Sequence, residues 1–155
     1  MANDPMVGAG DERRAMMAAL AQANPRELED GLSAAGLALE SARVVRPPET
    51  GLVMIRGRQG GTGAPFNLGE ATVTRATVQL PDGTLGQSCM LGRQPEKAQM
   101  AAVVDAYWQQ TEHRACVEIH ILKPIRTRLA GETARKRQQT VATAVDFFTM
   151  VRGDD

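Results

Sequence analysis

The chain has 155 residues, 43% of them hydrophobic and 23% charged, which fits a single α+β domain over 1–155 and excludes wholesale disorder. Lys plus Arg number 18 and Asp plus Glu number 18, so no net positive field draws the chain to nucleic acid or an anionic membrane. Cys89 and Cys116 are too few for a disulfide framework, no apolar run nears the roughly 18 residues of a membrane span, and the start lacks a basic and apolar leader, so the expected compartment is the cytoplasm. Charge is nonetheless uneven: residues 1–40 hold seven acids against three Arg, and 121–140 hold six Lys or Arg against Glu132 alone. Such ends are either contact faces or solvated surface.

Residues 1–10, with Pro5, Gly8 and Gly10, read as a frayed start. Asp11 caps a first helix to about Gln22, with Met16, Ala19, Leu20 and Ala23 as its apolar stripe. Asn24-Pro25 opens a second helix that carries Leu28 and Leu32 and stops at Gly36, giving an N-terminal helical hairpin. From residue 41 the period becomes that of strands. Ser41–Arg46 is a strand broken by Pro47-Pro48. Gly51–Arg58 is another, with Val53 and Ile55 on one face and Leu52, Met54, Arg56 and Arg58 on the other. After a Gly-rich loop, Glu70–Leu80 and Leu85–Leu91 pair antiparallel across Pro81-Asp82-Gly83-Thr84. The expected architecture is an antiparallel β-meander with helices packed largely on one side.

Gln94-Pro95 starts a long helix to about Thr111, with Met100, Val103, Val104 and Tyr107 on one stripe. An apolar run over 117–122 leads into a polar helix, Pro124–Val141, in which only Ile125, Leu129 and Val141 are large and apolar. A helix so polar is either solvated or docked on something other than its own core. The end, Val145–Gly153, is a strand-like tail.

Chemistry is sparse. Gly60, Gly61, Thr62 and Gly63 form either a phosphate cradle of backbone amides or a plain wide turn, without the lysine of a P-loop. Arg56, Arg58, Arg75 and Arg93 either converge near that loop on an anion or make salt bridges on solvated faces. His113, Cys116 and His120 have helical spacing, yet no fourth ligand accompanies them and no metal site is assigned. No nucleophile with its base and orienting acid emerges, so no catalytic residue is named. In the tail, Phe147 and Phe148 point to opposite strand faces. That pattern makes Phe147, Phe148, Met150 and Arg152 an expected partner-binding element.

Glu49-Thr-Gly-Leu-Val53, Arg58-Gln-Gly-Gly-Thr-Gly63, Gly69-Glu-Ala-Thr-Val-Thr-Arg-Ala76, Asp82-Gly-Thr-Leu-Gly86, Gly92-Arg93 and Asp146-Phe-Phe-Thr-Met-Val-Arg-Gly-Asp154 occur in this order. The set resembles the G subunits of the bacterial carbon–phosphorus lyase core complex, from about residue 11 to the end. The resemblance implies an accessory but required subunit in phosphonate catabolism, assembled with sister subunits H, I and J and helped by an ATP-binding-cassette-type subunit. That assembly converts ATP and an alkylphosphonate to α-D-ribose 1-methylphosphonate 5-triphosphate and adenine. A sister subunit later breaks the C–P bond with an iron–sulfur cluster and S-adenosylmethionine. The resemblance assigns this chain no cofactor and no catalytic residue. It leaves open two alternatives: direct phosphate contact through the Gly loop and its arginines, or a stand-alone small-molecule binding module.

Overall fold

The computed structural model describes residues 5–142, with side chains for residues 10–140. Helix α1 spans Pro5–Gln22, beginning before the expected Asp11 cap, and α2 spans Pro25–Ala34 with proline at its first position. Glu27 Oε2 accepts the Asn24 amide at 2.7 Å, tying the third residue of α2 back to its cap. Met16, Ala19, Leu20 and Ala23 are all buried, as their spacing requires, together with Leu28 and Leu32.

Three strands follow in the order β1–β2–β3, all antiparallel: β1 is Arg43–Arg58, β2 is Pro65–Gln79 and β3 is Leu85–Leu91. The expected break at Pro47-Pro48 does not occur. Shifts of register between Val44 and Arg46 and between Arg46 and Glu49 absorb the prolines as bulges, and β1 runs on as one strand. An edge strand tolerates this, because a proline that lacks N–H costs no bond on its unpaired side. The β2–β3 hairpin forms at the expected place. The Leu80 carbonyl accepts from Gly83, Leu80 donates to Thr84, and Gly83 takes φ 93°, a left-handed value suited to glycine. Asp82 accepts both the amide and the hydroxyl of Thr84, at 3.0 and 2.6 Å.

Helix α3, Pro95–Gln109, lies across the sheet face formed by Thr74, Ala76 and Val78 of β2 and Gly86, Ser88 and Met90 of β3. Its alanines bring it very close. A Cβ at Gly86 would sit 1.9 Å from the Ala102 carbonyl oxygen, so only glycine fits beneath the helix. Two side chains of α3 also finish the outer edge of β3. Asp105 Oδ2 accepts the Gln87 amide at 2.8 Å, and Gln109 Nε2 donates to the Leu85 carbonyl at 2.8 Å.

The long helix ends at Gln109, short of the expected Thr111, because Gln110 is extended. Then α4 (Thr111–Val117), a π-turn (Glu118–Leu122) and α5 (Lys123–Ala142) continue as helix. The apolar run of 117–122 is thus the end of α4 and the π-turn, which bury Val117, Ile121 and Leu122. Trp108 joins it to α3, donating from Nε1 to Glu118 at 2.9 Å beneath the Arg114 guanidinium 4.0 Å away. In α5 Ile125 is buried and Leu129 partly so, while 133–140 are exposed, as its polarity predicts. The expected strand at Val145–Gly153, with Phe147, Phe148, Met150 and Arg152, lies outside the described residues.

Candidate functional site

Past Val73 the first two strands run on as a two-stranded ribbon, with 52–58 opposite 65–72. Alternation along β1 sends Leu52 and Met54 to one face and Val53 and Ile55 to the other. Leu52 is 59% exposed, Met54 51% and Ile55 41%. On β2 Leu68 is an extra residue, because Ile55 pairs with Gly69 and Arg56 with Asn67. The bulge brings Leu68 and Phe66 to the same side as Gly57, where the Phe66 ring comes within 3.5 Å of a Cβ built there. Phe66 and Leu68 remain exposed. The face bearing Val53, Ile55, Phe66 and Leu68 carries no charged side chain between the Glu49–Arg75 rung and the tip. The opposite face mixes Leu52 and Met54 with Arg56, Arg58 and Glu70.

The Gly-rich segment is the turn at the ribbon tip. Gly60 and Gly61 take φ 60° and 82°, and the amides of Thr62 and Gly63 both turn inward to the Gln59 carbonyl. Arg58 Nη1 closes the loop by donating to the Gly63 carbonyl at 3.1 Å. Arg58 and Gly60–Gly63 therefore come together, but the loop bonds largely to itself.

Arg75 and Arg93 do not join them. Arg75 sits opposite Glu49, beside a cleft of about 180 Å³ lined by Arg46, Glu49, Thr50 and Gly51. Nine residues of extended β1 separate that rung from Arg58, roughly 30 Å at strand rise. Arg93 lies in the turn from β3 into α3, at a cleft of about 350 Å³ with Pro25, Gln94, Pro95, Glu96 and Lys97. The first turns of α2 and α3 both border this cleft, so their positive ends favour an anion there. The expected convergence of arginines on the Gly loop fails because the ribbon carries the loop away from the rest of the sheet.

His113 Nδ1 lies 2.8 Å from Gln110 Oε1 and its ring meets Tyr107 edge-on; Cys116 donates to the Ala35 carbonyl at 3.5 Å; His120 is exposed. No group of three metal-binding side chains occurs among the described residues.

Two charge clusters escaped the sequence reading. Asp105 is fully buried and accepts two bonds from Arg13, at 2.9 and 2.7 Å, besides the Gln87 amide, so one carboxylate ties α1, α3 and β3 together. The bond to Asp105 raises the Arg13 pKa. Arg128 of α5 donates to Glu27 at 2.6 and 2.9 Å, to Glu132 at 2.9 Å and to the Gln22 carbonyl at 2.9 Å. Its guanidinium, and then the Asn24 amide, hold the Glu27 carboxyl below its ordinary value. Lys97 is buried and donates to the Ala21 carbonyl at 2.8 Å; burial above all, then the nearby Arg128 charge, pushes its pKa down. The signal for Asp105 was available. An acid within Ala-Ala-Val-Val-Asp-Ala-Tyr-Trp must be paired, since an unpaired buried charge is too costly. These clusters brace the fold.

Residues 11–153 match the family model described as phosphonate metabolism protein PhnG. The chain belongs to that family. It is 50% identical over 144 residues to the alpha-D-ribose 1-methylphosphonate 5-triphosphate synthase subunit PhnG of Rhizobium meliloti (strain 1021), a match covering 93% of this chain and 91% of that one. Membership therefore spans α2, the whole sheet with its ribbon, and every later element. No described helix of this PhnG-family chain is long and apolar enough to cross a membrane.

Proposed function

We propose that the chain is an accessory, non-catalytic subunit of a cytoplasmic α-D-ribose 1-methylphosphonate 5-triphosphate synthase, the assembly that activates phosphonates before C–P cleavage. The observation that carries this reading is the 50% identity, across nearly the full length of both chains, to a protein named as a subunit of that synthase. ATP is then a substrate of the assembly, and the expected partners are sister subunits H, I and J. Support from the site is twofold: the Asp105–Arg13 pair and the Arg128–Glu27–Glu132 cluster brace the fold, and the apolar ribbon is exposed.

The test is reconstitution. Co-expressed with the other synthase subunits, the chain is expected to co-purify in fixed stoichiometry by native mass measurement. Adenine release from ATP and methylphosphonate should require it, while the chain alone releases none. A complex that assembles and reacts equally well without it would overturn the reading.

A second reading has one observation in its favour: Arg93 stands at a cleft where two helices present their first turns. On it, Arg93 contacts a phosphate of the shared substrate, with Arg75, Arg58 and Gly60–Gly63 less favoured by their positions. Arg93→Ala should then weaken substrate binding roughly ten- to hundredfold with the assembly intact. Unchanged kinetics would leave the accessory reading alone.

A further inference from the structure

A two-stranded ribbon is marginally stable at best in water, because one ladder of bonds and half-covered side chains barely offset the ordering of its backbone. Here the ribbon is long and no described element covers either face: Leu52 and Met54 are more than half exposed on one, and Ile55, Phe66 and Leu68 at least 41% exposed on the other. Scattered apolar residues on a surface mean little, but five large ones gathered on one projecting element mark an interaction site. Because both faces are apolar, a flat partner would satisfy only one of them. The shape calls for a cleft that admits the ribbon.

Charge decides what supplies the cleft. The ribbon's charges are Arg56, Arg58 and Glu70, all on the face of Leu52 and Met54, which leaves that face net positive. A second copy laid on that face would bring net positive surfaces together, and one laid on the uncharged face would leave Leu52 and Met54 uncovered, so pairing with a second copy does not complete the ribbon. Arg56 makes no hydrogen bond or ion pair among the described residues, and it stands on the same face as Leu52 and Met54, free to meet a carboxylate.

We infer that residues 51–58 and 65–70 insert into an apolar cleft rimmed by Asp or Glu on a different subunit of the synthase, and that this ribbon is the chain's principal anchor in the assembly. The inference rests on the subunit reading above and goes beyond it by naming the surface and the chemistry of what receives it.

The experiment uses the full chain co-expressed with the other synthase subunits, in wild-type form and as Leu68→Asp, Leu52→Asp and Arg56→Glu. All three positions are exposed, so the melting temperature of the free chain should barely change. Each Asp variant is expected to weaken retention in the complex at least about tenfold, one from each face of the ribbon. Arg56→Glu should weaken it too, and wild-type retention should fall with added salt. Hydrogen exchange on the wild-type complex, which needs no variant, should show amides of 52–58 and 65–70 slowed relative to the free chain. Full assembly of all three variants, or unchanged exchange in the ribbon, overturns the inference while leaving the subunit reading intact. A free chain that dimerises, with Leu68→Asp monomeric, overturns the choice of occupant. A wild-type chain that never co-purifies instead sinks the subunit reading itself.

Discussion

At Gly86 the sheet and α3 touch without any side chain between them. A Cβ there would lie 1.9 Å from the Ala102 carbonyl oxygen and 2.7 Å from both the Ala106 nitrogen and its Cβ. Ordinary contact begins at about 3.4 Å, and a backbone oxygen cannot rotate aside as a side chain can. Gly86→Ala therefore forces α3 to withdraw by roughly 1.5 Å. A gap of only 0.5–1 Å already forfeits about a quarter to a half of each dispersion contact, and Thr74, Ala76, Ser88 and Met90 all face the same helix. Overpacking ordinarily costs about 1–3 kcal/mol. With rigid backbone on both sides the expected loss is at or above the top of that range, roughly 3 kcal/mol. For a domain of ~150 residues that lowers the melting temperature by roughly 6–12 °C. Thermal and urea denaturation of the purified chain measure it, with Gly51→Ala as the reference. Gly51 has nothing within 4 Å of its built Cβ, so that change should be neutral or stabilise by up to about 1 kcal/mol through the unfolded chain. A Gly86→Ala protein melting within about 2 °C of wild type would refute the close-approach argument.

Asp105→Asn removes the charge that Arg13 and the Gln87 amide share, and is expected to cost roughly 1.5–3 kcal/mol by urea denaturation; Arg13→Met should cost much less in that background than in wild type, and full additivity would contradict the pairing. Asp82, held down to about 2 by the Thr84 hydroxyl first and then the Gln110 amide, should titrate near that value by NMR. Because its folded pKa is depressed, its stabilisation of the hairpin is present above the ordinary 3.8 and vanishes as pH falls through about 2; a midpoint at or above 3.8 would count against the bonds. Glu27 is lowered in the same direction, so its share of stability is complete above the ordinary carboxylate value and is lost on acidification. Glu27→Gln should flatten the acid limb of the stability curve, and an unchanged limb would remove Arg128 from the account. Lys97→Met should be neutral or stabilising near pH 7, since the cation is buried against a single carbonyl; a large loss would mean that the bond to Ala21 outweighs the burial.

The local rules read off the sequence were reliable where one element determines its own surroundings. The stripe of α1, the cap of α2 and the hairpin at Gly83 needed only periodicity and turn chemistry, and so did the alternation that puts Leu52 and Ile55 on opposite faces. Pro47-Pro48 misled because a strand break and an edge bulge share the same residues, and the choice depends on whether a second strand lies on the other side. The π-turn at Glu118–Leu122 has the composition of any short apolar segment, and packing, rather than periodicity, makes it helical. For the candidate site, Gly60–Gly63 and the arginines were conspicuous as chemistry, but their mutual distances follow from how far β1 and β2 extend beyond α3. Spacing along the chain does not contain that length.

The two outer edges of the sheet are not equivalent. On β3 the Gln87 amide and the Leu85 carbonyl are already taken by Asp105 and Gln109 of the chain's own helix. On β1 no described strand pairs with the outer side. A second open edge lies on the ribbon, where residues 65–71 of β2 pair with β1 and with no strand on their other side among the described residues. An incoming strand therefore meets open ladders along β1 and the ribbon, and a partly occupied one along Leu85–Gln87. Edge protection in this molecule is thus local, and the Asp105–Gln87 bond guards one stretch of β3 rather than the whole sheet.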